Sequence, residues 1–194
     1  MEYKNAIRES QGGLLVHVCC APCAVYPLKL ILGRDPGLRV LPWFYNPNIQ
    51  PLEEFRRRRD ALAFLAFMMP SMVPALARPL EVDFSPPYNP GRFLAAAALD
   101  PAEPARCLAC YGLRLDMAAR TAAERGLGAF TTTLLYSRRQ RHELIREAGL
   151  KAAREHGVAF FYEDFRNGWQ EGLEMSRRLG LYRQRWCGCV YGAS

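Results

Sequence analysis

Apolar residues arrive in short β-branched or aromatic runs that alternate with longer segments of helical spacing. Residues 14–19, Leu-Leu-Val-His-Val-Cys, form such a run between Gly12-Gly13 and a Cys-Ala-Pro-Cys turn, and they predict a buried strand. Further strands are predicted over 39–45, 80–84, 129–136 and 158–162. Helical spacing covers 24–32, 53–69, 92–99, 105–125, 140–156 and 169–179, with Gly33 closing the first helix and Pro70 stopping the second. About five strands alternating with helices imply an α/β fold, a three-layer parallel sheet joined by right-handed crossovers. Sites in such sheets lie beyond the carboxyl ends of the strands. Cys19, Asn46, Ser85 and Ser137, each just past a predicted strand end, are therefore expected to share one crevice.

The first strand runs straight into thiols. Cys19, Cys20 and Cys23 follow it, and Cys107-x-x-Cys110 and Cys187-x-Cys189 lie far downstream. An odd total of seven argues against a simple disulfide framework, and the paired spacing points to metal or redox chemistry in a reducing compartment. Cys107 and Cys110 share a face of their helix. Neighbours on an extended strand point to opposite faces, so Cys19 and Cys20 are expected to serve two different centres. With Cys23, Cys107 and Cys110 this makes five thiols for one crevice, one more than a four-coordinate site uses. An iron–sulfur cluster beside a second metal or a free thiol satisfies that count. So does one structural zinc site with Cys19 as a buried apolar residue.

Cys20-Ala21-Pro22-Cys23 also has the form of a thioredoxin-type pair, with Cys20 at a helix N-terminus where its pKa should fall. That fold leaves the other cysteines unexplained. Cys187-Gly188-Cys189 has three readings: a strained, reducible redox disulfide, an inert pair, or two further ligands.

Composition narrows the class. Half of the 194 residues are hydrophobic, enough for one substantial core, and a single domain over 1–194 is expected. The richest apolar stretch, 61–69, ends at Pro70, short of the roughly 20 residues of a membrane span, so no membrane crossing is expected. Residues 1–9 have mixed charge without an apolar stretch, which predicts no signal peptide and a cytoplasmic location. Lys and Arg total 26 against 19 Asp and Glu, a net charge of +7 carried mostly by Arg, and this suits a polyanion such as RNA.

The Arg56–Arg59 run sits inside an amphipathic helix and reads as a solvated face. Arg138, Arg139 and Arg141, and Arg183 and Arg185 beside Tyr182 and Trp186, flank the predicted crevice and are the expected RNA contacts. His17 reads as a satisfied core histidine, and His142 and His156 as solvent-facing.

Several motifs in order resemble one family: His17-Val-Cys-Cys-Ala-Pro-Cys23, Tyr45-Asn-Pro-Asn-Ile49, Arg106-Cys-Leu-Ala-Cys-Tyr111 with Arg114-Leu115, Phe130-Thr-Thr-Thr-Leu-Leu135 with Ser137, Asp164-Phe-Arg166, and Leu181-Tyr-Arg-Gln184 with Cys187-Gly-Cys189. Together they resemble the epoxyqueuosine reductases of the QueH type over nearly the whole chain. The chain departs from that pattern at Gln50 and Arg138, where His and Pro are common.

The resemblance implies a HUP-like (adenine nucleotide alpha hydrolase-like) fold and reduction of epoxyqueuosine to queuosine at the tRNA wobble position. It also implies a [4Fe–4S] cluster with a second metal ion, iron or zinc, and an external low-potential electron donor. Carried over by motif, Cys19, Cys20, Cys107 and Cys110 are the metal-site thiols, with Cys23 beside them. Opening an epoxide needs its oxygen polarised, and forming the alkene needs two electrons and a proton source, for which Tyr136, Tyr111 or a water is the candidate. The competing classes are a thioredoxin-like oxidoreductase acting through Cys20 and Cys23, and a zinc-stabilised RNA-binding module.

Overall fold

Leu14, Leu15, Val16 and His17 are fully buried, and the strand they form, β1 (Leu14–His17), is paired along both edges with its two faces covered by helices. The structure is a computed structural model and describes residues 12–192. Residues 1–11, on which the signal-peptide expectation rests, lie outside the described residues. β2 (Val40–Trp43) pairs with one edge of β1 and β3 (Ala129–Thr132) with the other, Leu14 standing opposite Val40 and Ala129. β4 (Ala159–Phe160) adds to β3, giving a parallel sheet of order β2-β1-β3-β4.

The sheet thus has four strands where about five were expected. Segment 80–84 contributes only a bridge, Asp83 against Trp43. The Asp83 amide donates to the Pro42 carbonyl and the Phe44 amide to the Asp83 carbonyl. The next rung would need an N–H on Pro42, which proline lacks, so the ladder ends there.

From β1 the chain passes through α1 (Ala21–Arg34) to β2. It then runs through α2 (Leu52–Met72), α3 (Gly91–Leu99) and α4 (Ala105–Glu124) to β3. α5 (His142–His156) links β3 to β4, and α6 (Trp169–Arg178) follows. The crossovers through α1 and α5 run in opposite directions along the sheet, and right-handed connections then place those helices on opposite faces. In agreement, α1 packs with α2 and α6, and α4 with α3 and α5.

Two expected boundaries move for local reasons. Pro70 does not stop α2, because the Ala66 carbonyl that it leaves without a helical donor accepts the Leu80 amide at 3.1 Å. β3 ends at Thr132 because its hydroxyl accepts the Leu134 amide at 3.2 Å and winds Thr133–Tyr136 into a 3₁₀ turn.

The chain leaves β1 toward β2 and returns on the other side as β3, so the topological switch point lies between the ends of β1 and β3. Cys19 follows the first and Thr133 the second. No helix among the described residues is long and apolar enough to cross a membrane.

Candidate metal centre

Since β1 stops at His17, Cys19 and Cys20 lie on the bend before α1 and escape the alternation of a strand. Cys20 is extended (φ −171°, ψ 159°) as the residue capping α1, Pro22 opens the helix without costing it a bond, and Cys23 lies in the first turn. The three Sγ atoms lie within 4.8 Å of one another, those of Cys19 and Cys20 3.8 Å apart. The expectation that Cys19 and Cys20 diverge is overturned: one point can touch all three. The Thr133 hydroxyl accepts the Cys19 amide at 3.0 Å and donates to Cys19 Sγ at 3.2 Å, joining the ends of β1 and β3. From the far end of the chain, Gln184 Nε2 donates to Cys20 Sγ at 2.7 Å.

Hydrogen bonds from Cys20 and Cys23 hold the Cys19 thiol well below its ordinary range, with further help from the Arg114 charge and Thr133. Burial pushes Cys20 up, and the Cys19 and Cys20 sulfurs push Cys23 up. The predicted drop at Cys20 is therefore reversed, because burial outweighs its helix N-terminus, and a thioredoxin-type nucleophile at Cys20 loses its support. The three sulfurs share charge as a ligand set does, with one thiolate served by two thiols.

Cys107 and Cys110 lie outside this trio. Burial raises both thiols, and both feel the charge of Cys187, which brings the C-terminal thiols to the start of α4. Cys189 packs with Cys110, Phe93 and Ala97. All seven cysteines are free, so the disulfide expected between Cys187 and Cys189 is not formed. Instead a hydrogen bond from Cys189 lowers the exposed Cys187 thiol to about 6, and Cys189 rises in response.

Arg114 connects the two groups. It is buried, with Nη2 2.6 Å from Asn46 Oδ1 and Nη1 3.9 Å from Cys110 Sγ, and its charge favours the thiolates of Cys19, Cys110 and Cys187. Asn46 Nδ2 in turn donates to the Val18 carbonyl at 2.9 Å, fixing the guanidinium against the end of β1. None of the ion pairs found among the described residues gives Arg114 a carboxylate partner. A buried cation needs counter-charge, and the groups around this one are thiols.

The C-terminal arm is tied down by a residue that its sequence neighbourhood disguises. Arg58, expected on a solvated face with Arg56, Arg57 and Arg59, is 2% exposed. Its Nε donates to Glu54 Oε1 at 2.6 Å, Nη1 to the Cys187 carbonyl at 3.0 Å and Nη2 to the Trp186 carbonyl at 3.2 Å. The Tyr182 hydroxyl donates to the other Glu54 oxygen at 2.5 Å. Gly188 (φ +101°) lies where a Cβ would meet Ile49, and its carbonyl accepts the Gln50 amide at 2.9 Å.

The remaining candidates divide. Ser85 does not join the crevice: it bonds Asp83 and Arg125, at the opposite end of α4 from Cys107 and Cys110. Ser137 is buried behind the 3₁₀ turn, where it accepts the Arg139 amide. Tyr136 is buried and its hydroxyl donates to the Trp169 carbonyl at 3.0 Å, while burial and the charges of Cys23 and Cys20 keep the phenol protonated. Tyr111 donates to Gln140 Oε1 at 2.7 Å, and burial pushes it up to about 12.

Arg138, Arg139, Arg141, Arg183 and Arg185 are all exposed. Arg139 Nη1 reaches the Arg185 carbonyl at 2.9 Å, so the two basic clusters form one rim, and Arg141 pairs with Glu103 at 3.2 Å. His17 is the core histidine expected, bonded to Thr132 and to the Tyr45 carbonyl. His142 is not solvent-facing: α5 turns it inward against Tyr162, at 6% exposure. The contacts of Thr133, Gln184, Arg114 and Arg58 emerge from the structure alone, although the first three lie within the motifs that carry the resemblance. Only the last two had a local signal, Arg114 one turn after Cys110 and Arg58 one turn after Glu54.

A parallel α/β sheet with three convergent thiols and a buried arginine at its switch point defines a thiol-centred protein with the donor set of a metal site. Residues 14–194 match the family described as epoxyqueuosine reductase QueH. Proteins of that name from Thermotoga maritima and Dehalococcoides mccartyi are similar to this chain, at 36% identity over 184 residues and 33% over 180 residues. The first alignment covers 93% of this chain and 90% of the relative, the second 92% and 91%. A Staphylococcus epidermidis relative of the same name is 29% identical over 93% of this chain and 76% of its own length. The chain belongs to the epoxyqueuosine reductase QueH family, which is named for an oxidoreductase activity.

Proposed function

We propose that this chain reduces epoxyqueuosine to queuosine at the wobble position of tRNA. Cys19, Cys20, Cys107 and Cys110 would hold a [4Fe–4S] cluster, and Cys23 would join them in holding an adjacent iron or zinc ion. The observation that carries the reading is Arg114, a buried cation among thiols, together with three sulfurs within 4.8 Å of one another at the switch point. Soft thiolate donors suit iron–sulfur clusters and zinc, and both leave an anionic centre for a cation to balance.

When bound, such a group supplies electrons one at a time and a Lewis acid for the epoxide oxygen. The reduction takes two electrons and two protons, releases the oxygen as water and leaves a carbon–carbon double bond. Around it the chain's own groups set charge and position. Thr133 and Gln184 donate to Cys19 and Cys20, favouring their thiolates. Tyr136 holds its proton at Oη, and delivering it to a substrate requires exchange of the bond to the Trp169 carbonyl. Cys187 and Cys189, oxidised to a disulfide, would release two electrons and two protons toward the site, to be restored by an external low-potential donor. The arginine rim, Arg138, Arg139, Arg141, Arg183 and Arg185, supplies the phosphate contacts.

Anaerobic reconstitution with iron and sulfide, then incubation with epoxyqueuosine-containing tRNA and a low-potential reductant, tests the proposal. Mass spectrometry of the nucleosides should show queuosine. Persistence of epoxyqueuosine with a fully loaded protein would refute it. Zinc alone, with tRNA binding but no visible absorbance, would point to an RNA-binding module instead.

A further inference from the structure

Beside the thiols stands a column of rings, of which the reaction as described uses only Tyr136. Tyr26 is three residues after Cys23 on α1 and so shares its face. Its ring centroid lies 6.3 Å from that of Tyr136, which stacks on Trp169 at 5.2 Å with 26° between the planes. The Arg138 guanidinium lies over the Trp169 indole, 5.5 Å from the centroid. The rings therefore lead from the thiol-bearing face of α1 to the start of the arginine rim.

Two glycines show that the column is built into the fold. A Cβ on Gly168 would fall inside the Tyr26 ring, and a Cβ on Gly172, one turn further along, would fall on the Tyr136 hydroxyl. Only glycines let α6 press this closely on both phenols. The Tyr136 hydroxyl then holds the Trp169 backbone, so the indole is anchored through both its ring and its carbonyl. Trp169 is nevertheless partly exposed. Glu171, the acid in the first turn of α6, pairs with Lys29 at 2.5 Å, and the exposed Arg138 stands over the indole.

We propose that Trp169, with Arg138, forms a stacking subsite for an unpaired RNA nucleobase next to the one presented to the thiols. The subsite rests on the RNA reading proposed above and adds where a neighbouring base is held. The partly exposed indole carries the Arg138 guanidinium over its ring, and a base can stack on that guanidinium plane or, as the guanidinium swings out to a phosphate, on the indole itself. Holding a neighbour out of the base stack would keep the reacting nucleotide splayed toward the thiols.

The test is binding of a fluorescent anticodon stem–loop by the metal-loaded protein. Trp169→Leu keeps apolar packing on Tyr136 and removes the stacking plane, and it should weaken binding about 5- to 150-fold. Trp169→Phe should retain most of the affinity. An abasic nucleotide beside the wobble position should cost the wild type a similar factor and cost Trp169→Leu nothing, a pattern that a folding defect cannot produce. Equal affinity for wild type and Trp169→Leu, or an abasic cost shared by both, overturns the subsite while leaving the RNA reading intact. A wild-type protein that ignores the stem–loop overturns both.

Discussion

Gln184 Nε2 donates to Cys20 Sγ at 2.7 Å across 164 residues of chain, so the C-terminal arm reaches back to the sulfur of the residue that precedes α1. An N–H donated to a ligand sulfur stabilises the thiolate and the reduced state of whatever it binds. Gln184→Leu should therefore lower turnover about 10- to 100-fold, as losses of groups supporting metal ligands do. It should also shift the reduction potential of the loaded protein to a more negative value. Steady-state kinetics and a potentiometric titration read the two effects, and wild-type values in both would make the contact incidental.

The arm reaches Cys20 because Arg58 and Glu54, 2% and 4% exposed, hold it from beneath. Arg58→Met would strand a buried carboxylate and free the carbonyls of Cys187 and Trp186. The expected cost is about 3–5 kcal/mol, measured by urea denaturation. Arg58→Met with Glu54→Leu should cost less than the sum of the single changes, because the stranded charge goes with its partner. Additive single costs would show that the pair does not act as a unit.

The alternation of strands and helices was readable because each element carries its own period, and Val16 or Phe130 could face nowhere but the core. The meeting of Cys19, Cys20 and Cys23 was readable as a motif but not as geometry, since it depends on β1 ending at His17. What stayed hidden is held by distant partners. Arg58 looks like its neighbours until Trp186 and Cys187 arrive, and Gln184 has no cause to mark it apart from Cys20. Segment 80–84 misled in the other direction: its apolar residues promised a further strand, while the missing N–H of Pro42 stops the ladder at Asp83.

Because Cys19, Cys20 and Cys23 converge, their substitutions should resemble one another. Cys19→Ser, Cys20→Ser and Cys23→Ser should each lower the iron retained after anaerobic reconstitution. Cys187→Ser, on the exposed arm, should keep iron at the wild-type level while impairing turnover. Iron and sulfide analysis on desalted protein checks the set. Iron loss from Cys187→Ser equal to that from Cys20→Ser would move Cys187 into the ligand shell.

His17 sets an acid limit on the fold. It is fully buried, and burial, followed by the Arg114 charge, lowers its pKa from 6.5 to about 3. Nε2 donates to the Tyr45 carbonyl at 3.1 Å and Nδ1 accepts from the Thr132 hydroxyl at 2.7 Å, so the neutral ring is satisfied at both ends. Protonation would set an N–H against the Thr132 oxygen, which already accepts the Leu134 amide. The unfolded chain takes up this proton near 6.5 and the folded chain only near 3, so stability is present above the first value and is lost as pH falls toward the second. The loss approaches about 1.4 kcal/mol per pH unit. Urea denaturation between pH 6.5 and 5, above the carboxylate range, should show that slope in the wild type. His17→Leu, whatever it costs at neutral pH, should show a flatter one. Parallel slopes would mean that His17 is protonated in the folded protein and that the Thr132 and Tyr45 contacts do not hold it neutral.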